Sequence, residues 1–183
     1  ASGERARQLA AEQQPDLIMM DIVIRGPRDG IETARQIRRE ADIPVVAMSL
    51  DRTLSPEEHV AVGRALAPLR DEGVLLVASG NVIHNLMLWR QHAGTQPDWA
   101  LEFRARINAA MLAGDQAALS RFDGEDRAAA AAINSAEHYL PLLYTHGARL
   151  PGDAVGVFND TLDGALSMTS YLLGDTALLT DLA

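Results

Sequence analysis

At 183 residues, with 48% of them hydrophobic and no low-complexity tract, the chain can bury one real core but falls short of two complete domains. Its formal charge of −9 argues against nonspecific binding to nucleic acid or to an anionic membrane surface. With no cysteine there is no disulfide framework and no thiolate metal site, and all sixteen basic residues are arginine. No signal-peptide core opens the sequence and no apolar run is long enough to cross a bilayer, so the expected location is cytoplasmic.

The first element, "GERARQLAAEQQ", spaces apolar residues among good helix formers and predicts a short amphipathic helix ending at Pro15. "DLIMMDIVI" is a continuous apolar run broken only by Asp21, the pattern of a parallel strand buried on both faces. After the turn "RGPRDG", "IETARQIRREA" is helical and "IPVVAMSL" is the next strand. "SPEE" is a strong helix start, with Ser55 as N-cap, Pro56 in the first turn and Glu58 closing a capping box. That helix is expected to run to about Asp71 and stop at Gly73, before a third buried strand, "VLLVASG". Such β-α-β-α-β alternation predicts a parallel sheet with right-handed crossovers.

Beyond "GNVIHN" the pattern changes. "PDWALEFRARINAAMLAG" and "GEDRAAAAAINSAEHYLPLLYTHGA" predict two long helices, the second interrupted or ended around Pro141. "DAVGVFND" and "ALSMTSYLLG" predict two late strands. The expected fold class is α/β, with a parallel central sheet, flanking helices and two late strands in a single domain of chimeric appearance. Nothing in the pattern sets an oligomeric state.

Two resemblances account for the chimeric appearance. "PDLIMMDIVIRGPRDGIETARQIRREADIPVV" resembles the middle of a response-regulator receiver domain, over about residues 2–46. The resemblance implies that Asp21, at the carboxyl end of its strand, matches the phospho-accepting aspartate, and Ser49 the hydroxyl residue that senses the phosphoryl group. Phosphoryl transfer to a carboxylate needs Mg²⁺ and a positive group against the developing charge. The family's acidic pair is not found ahead of Asp21, and its lysine has no counterpart in a chain without lysine. A working receiver is therefore not expected.

"SLDRTLSPEEHVAVGRALAPLRDEGVLLVASGNVIHNL", "INSAEHYLPLLYTHGA" and "LSMTSYLLG" resemble class III extradiol dioxygenases of the DOPA-dioxygenase-like branch, over about residues 43–174. The implied organisation is a partial receiver-like segment at 1–46 joined to the carboxyl-terminal portion of a dioxygenase-like domain at 43–183. The shared strand "DIPVVAMSL" forms the join. By this resemblance the activity is ring opening of a catechol such as DOPA by O₂ at a non-haem Fe(II), for which Zn may substitute. His84 then matches the catalytic histidine beside the metal, counted as a ligand in some members, and His138 a metal ligand carried on a helix.

The residues agree in part. His84 follows a buried strand and a Ser-Gly-Asn turn, which places it at the carboxyl edge of a parallel sheet, where ligands bind. Asn81, Asn85 and Glu137 flank the two histidines and are the expected orienting groups. His59, His92 and His146 read as solvated or helix-end residues. The family draws two further metal histidines from its amino-terminal half, and no histidine precedes His59 here. Asp21 is the carboxylate that could complete a two-histidine, one-carboxylate set. Relatives commonly carry arginine at the place of Met87 and an acidic residue at that of Arg104. The expected function is a dioxygenase impaired for want of ligands, with a phosphorelay receiver or a catalytically dead scaffold as the alternatives.

Overall fold

Three apolar segments lie side by side, as the strand and helix alternation demands. They are β1 (Leu17–Met20), β2 (Val45–Ala47) and β3 (Val74–Val77), in the order β2-β1-β3. Both pairings are parallel, with Ile18 opposite Val45 on one side and Leu75 on the other. The computed structural model describes residues 7–8, 10–12, 14, 17–20, 30–41, 45–122 and 126–175. Asp21 and the rest of the apolar run after Met20 lie outside them, as does most of the turn "RGPRDG".

α1 (Gly30–Ala41) connects the first two strands, and its Thr33 and Ile37 are buried. α2 (Pro56–Leu66) and a 3₁₀ segment (Ala67–Glu72) connect the second and third. The capping box forms as the sequence implies. Ser55 Oγ accepts the Glu58 N–H at 3.2 Å, and Glu58 Oε2 accepts the Ser55 N–H at 2.7 Å.

Among the described residues the sheet does not form the main core. Ala10, Ile18 and Ile37, with Leu75 and Val77 packed against them, make one small cluster. The main core is separate and mostly helical, built from residues such as Val60, Ile83, Phe103, Ile107, Leu119, Tyr139 and Leu143. The architecture is thus mixed α/β and mostly helical with small sheets, which corrects the expectation of a central sheet flanked by helices. Among the described residues the late helices supply most of the buried apolar side chains, which is why the larger cluster is helical.

The helices of that core are α3 (Leu86–His92), α4 (Asp98–Ala113), α5 (Gln116–Ser120), α6 (Arg127–Ala132) and α7 (Leu140–Gly147). α4 buries Ala100, Phe103, Ile107, Ala110 and Met111, a stripe at helical spacing. α2 crosses α7 at backbone contact. A β-carbon on Gly63 would lie 2.2 Å from the Tyr144 carbonyl oxygen, and one on Gly147 would lie 2.2 Å from that of Val60. Only glycine fits at either place.

Two expected elements divide differently. The long helix over 124–148 breaks at Ile133–Ser135 into α6, a 3₁₀ turn (Ala136–His138) and α7. Pro141 stands in the first turn of α7 rather than ending a helix, a place where its missing N–H costs nothing. The segment 165–174 divides into β6 (Leu166–Ser167) and β7 (Ser170–Gly174). β6 pairs with β5 (Leu162–Asp163), and β7 pairs antiparallel with β4 (Ala154–Phe158). Four late strands therefore stand among the described residues where two were expected.

Candidate active site

The turn after β3 is drawn tightly against the 3₁₀ turn that carries His138. A β-carbon on Gly80 would meet the His138 carbonyl oxygen at 2.1 Å, so the close approach excludes any side chain there. The next N–H, that of Asn81, donates to the same oxygen at 2.6 Å. His84 is fixed through its backbone from two sides. Its N–H donates to Ala132 O at 2.9 Å, and it forms isolated bridges with Ile133 and with Leu166. That pairing accompanies the end of the helix: the Ile133 N–H still donates to Ala129 O at 2.8 Å, but the Ala132 carbonyl accepts the His84 N–H in place of a helical partner.

These contacts bring His84 and His138 together. Their rings stack with centroids 3.6 Å apart and planes 23° from parallel. His138 sits on a 3₁₀ turn rather than within an α-helix.

Each flanking asparagine has a defined task. The Asn81 side-chain amide donates to Ser167 O at 2.6 Å, tying the turn to β6. Asn85 donates to Ala131 O at 2.9 Å, while its Oδ1 accepts the Leu88 N–H and caps α3. Both asparagines are buried. Glu137 accepts the Ser135 hydroxyl at 2.9 Å on Oε1, and its Oε2 is buried with no hydrogen-bond partner. Burial works to raise the Glu137 pKa. Hydrogen bonds from its own backbone and Ser135, with the charges of His138 and Arg52, outweigh this and hold it below the ordinary value.

Ser49 is exposed, two positions past the end of β2, and Asp21 lies outside the described residues. His59 is fully buried and shares a hydrogen bond between Nδ1 and the Tyr144 hydroxyl at 3.0 Å; His146 is buried as well. The reading as a solvated or helix-end residue is corrected for His59, whereas His146 stands in the last turn of α7, as a helix-end residue, though a buried one. His59 faces α7 because α2 packs there on its glycine side. His92 stands in the last turn of α3, as a helix-end residue. Met87 is exposed, and Arg104 donates to the Asp160 carbonyl at 3.0 Å. Asp160, Ser167 and Thr169 form a hydrogen-bonded group beside Asn81 that the sequence pattern did not mark, because hydroxyls in "LSMTS" read as ordinary strand residues.

Among the described residues no group of three His, Cys, Asp or Glu side chains could hold a metal ion. An iron centre of the extradiol kind calls for about three protein N/O ligands with open positions. The described donors, two stacked imidazoles, do not by themselves fit one.

Comparison with known proteins divides the chain in two overlapping parts. A family model described as the response regulator receiver domain matches residues 1–65. One described as the catalytic LigB subunit of aromatic ring-opening dioxygenase matches residues 37–159. The 4,5-DOPA dioxygenase extradiol of Escherichia coli K12 is 37% identical over 139 residues, covering 74% of this chain and 51% of that protein. The transcriptional regulatory protein AfsQ1 of Streptomyces coelicolor is 43% identical over 49 residues, 27% of this chain and 21% of its own. The crystal structure of an uncharacterized protein from E. coli K12 superposes with a TM-score of 0.75 at 23% identity, over 94% of this chain and 92% of that one. That likeness is one of fold. The chain spans about half the length of the curated dioxygenases it matches. With the histidine-bearing turns and the flanking asparagines all inside the longer match, the chain belongs to the family of the catalytic LigB subunit of aromatic ring-opening dioxygenases.

Proposed function

We propose that the chain is the carboxyl-terminal part of an extradiol catechol dioxygenase site, joined to a receiver-like segment at 1–46, and that alone it has little or no turnover. The stacked pair of His84 and His138 carries this reading. The family's chemistry opens a catechol ring with O₂ at Fe(II), and an imidazole is suited to moving catechol protons near neutral pH. In this reading His84 is the acid/base group and the two histidines are metal-facing. Asn81, Asn85 and Glu137 set their position.

The donor inventory supports the expected weakness. The sequence holds five histidines and no cysteine. His59 is buried against Tyr144, His146 is buried, and His92 ends α3, which leaves two imidazoles at the site. No step is assigned to a metal on this donor set. The test is anaerobic Fe(II) titration of the chain, then O₂ and DOPA, followed by the absorbance of the yellow ring-opened product. Weak iron binding and little product are expected. Tight stoichiometric iron with turnover, both lost in His84→Ala and in His138→Ala, would overturn the claim of inactivity while confirming the site. Tight binding that survives both substitutions would sink the site assignment.

The match of residues 1–65 to the receiver model favours a second reading, with Asp21 as phospho-acceptor. It meets a chemical obstacle: no lysine exists to face the phosphoryl group, and arginine is not isosteric. Incubation with acetyl phosphate and Mg²⁺ is expected to leave the intact mass unchanged. A gain of one phosphoryl group that Asp21→Asn abolishes would establish the receiver reading instead. No iron binding at all, together with an unchanged mass, would favour the scaffold reading.

A further inference from the structure

A chain of hydrogen bonds runs from α4 to the turn that carries His84, through residues to which neither the family match nor the sequence pattern assigns a role. Asp160 lies at its outer end. Its Oδ2 accepts the Asn108 amide at 3.3 Å, its carbonyl accepts Arg104 at 3.0 Å, and its Oδ1 accepts the Thr169 hydroxyl at 2.6 Å. The Ser167 and Thr169 hydroxyls are 2.6 Å apart, and Ser167 Oγ also accepts the Thr169 N–H at 3.2 Å.

Valence fixes the direction of this chain. Each hydroxyl has a single proton. With the Thr169 proton committed to the Asp160 carboxylate, the proton between the two hydroxyls must come from Ser167. Both protons therefore point outward to the carboxylate. Ser167, fully buried, is held in a single orientation at the inner end.

What Ser167 then holds is the site. Its N–H donates to Ile83 O at 3.0 Å, immediately before His84. Its carbonyl accepts the Asn81 amide at 2.6 Å, and the Asn81 backbone N–H in turn holds the His138 carbonyl. The two backbone groups of one residue thus fix both histidine-bearing segments.

We propose that Asp160, Thr169 and Ser167 are positioning residues that set the face-to-face geometry of His84 and His138. The inference rests on the dioxygenase reading only in taking this pair as the site. Stacked rings at 3.6 Å place the carbon-bound protons of each imidazole over the face of the other, so they resonate upfield. In the full chain labelled with ¹³C-histidine, and assigned through His84→Gln and His138→Gln, that displacement reports the stack without metal or substrate.

Thr169→Val removes both hydroxyl bonds at nearly constant volume and is expected to abolish most of the displacement. Thr169→Ser should restore it. Asp115→Ala removes the N-cap of α5 and serves as a destabilised control that should retain the displacement. A folded Thr169→Val protein with unchanged resonances, or equal loss in the control, would overturn the proposal. Should Thr169→Val fail to fold, Ser167→Ala decides on the same readout. A displaced pair in a chain whose tight iron binding survives both His84→Ala and His138→Ala would sink the dioxygenase reading alone. Absence of displacement in the unsubstituted chain would sink this one.

Discussion

His59 shows how a single residue's surroundings set a property of the whole chain. Its ring is fully buried, with Nδ1 on the Tyr144 hydroxyl and Nε2 without a hydrogen-bond partner. Burial lowers its pKa, and the nearby carboxylates of Asp51 and Glu58 only partly oppose that. His146 moves the same way, first through burial and then through the charges of Arg149 and Arg64, against Asp115. The folded state thus resists protons that the unfolded chain takes up. Stability is fully present above the ordinary histidine value of about 6.5 and is lost as pH falls through it toward the lowered folded values. The lowered carboxylates, Asp153 among them, act in a separate window, below their ordinary value of about 4. The urea midpoint is expected to fall between pH 7 and pH 5, and His59→Gln, which keeps a polar partner for Tyr144, should flatten part of that fall. An unchanged slope in the variant would remove His59 from the account.

At the scale of elements, what the sequence made legible was what local chemistry decides. The capping box at Ser55 and Glu58, the stripe of α4 and the parallel run of β1 each follow from neighbouring residues, and each stands where it was expected. The misjudged elements are those in which a distant partner decides. The helix before Ile133 ends where the Ala132 carbonyl accepts the His84 N–H, and "ALSMTSYLLG" divides because Ser167 pairs in one small ladder and Ser170 in another. α3 carries no buried residue and so no apolar stripe to betray it. The candidate site was legible in its two histidines and two asparagines, whose place follows from a buried strand and a tight turn. The hydroxyl chain through Thr169 was not, since nothing local separates a structural serine or threonine from a solvated one. The partly buried ion pair of Arg70 with Asp153 was invisible for the same reason: it joins segments far apart in sequence.

At the scale of the whole molecule, the described residues pack in two clusters, and the smaller one draws on both sides of the proposed join, through Ile18 and Ile37 before it and Leu75 and Val77 after it. The parallel sheet and α1 share the small cluster around Ile18 and Ile37, whereas the helices that carry the site share the main core. Apolar burial contributes roughly 25 cal/mol per Å², so, among the described residues, the smaller cluster stabilises its elements less than the main core does. Regions with few buried apolar contacts open at lower free energy than the global transition. Both tryptophans, Trp89 and Trp99, pack against the main core, so their fluorescence follows that part of the molecule. Hydrogen exchange in urea is therefore expected to expose the amides of β1 and α1 well below the midpoint of the fluorescence transition, while those of α4 and α7 exchange only with it. Leu75 and Val77 of β3 belong to the small cluster, yet their strand leads directly into the Gly80 turn beside His138, so β3 is expected to fall between the two groups. Exchange of all four elements at one common free energy would show that sheet and site form one cooperative unit, and that the two packing clusters do not behave as separate units.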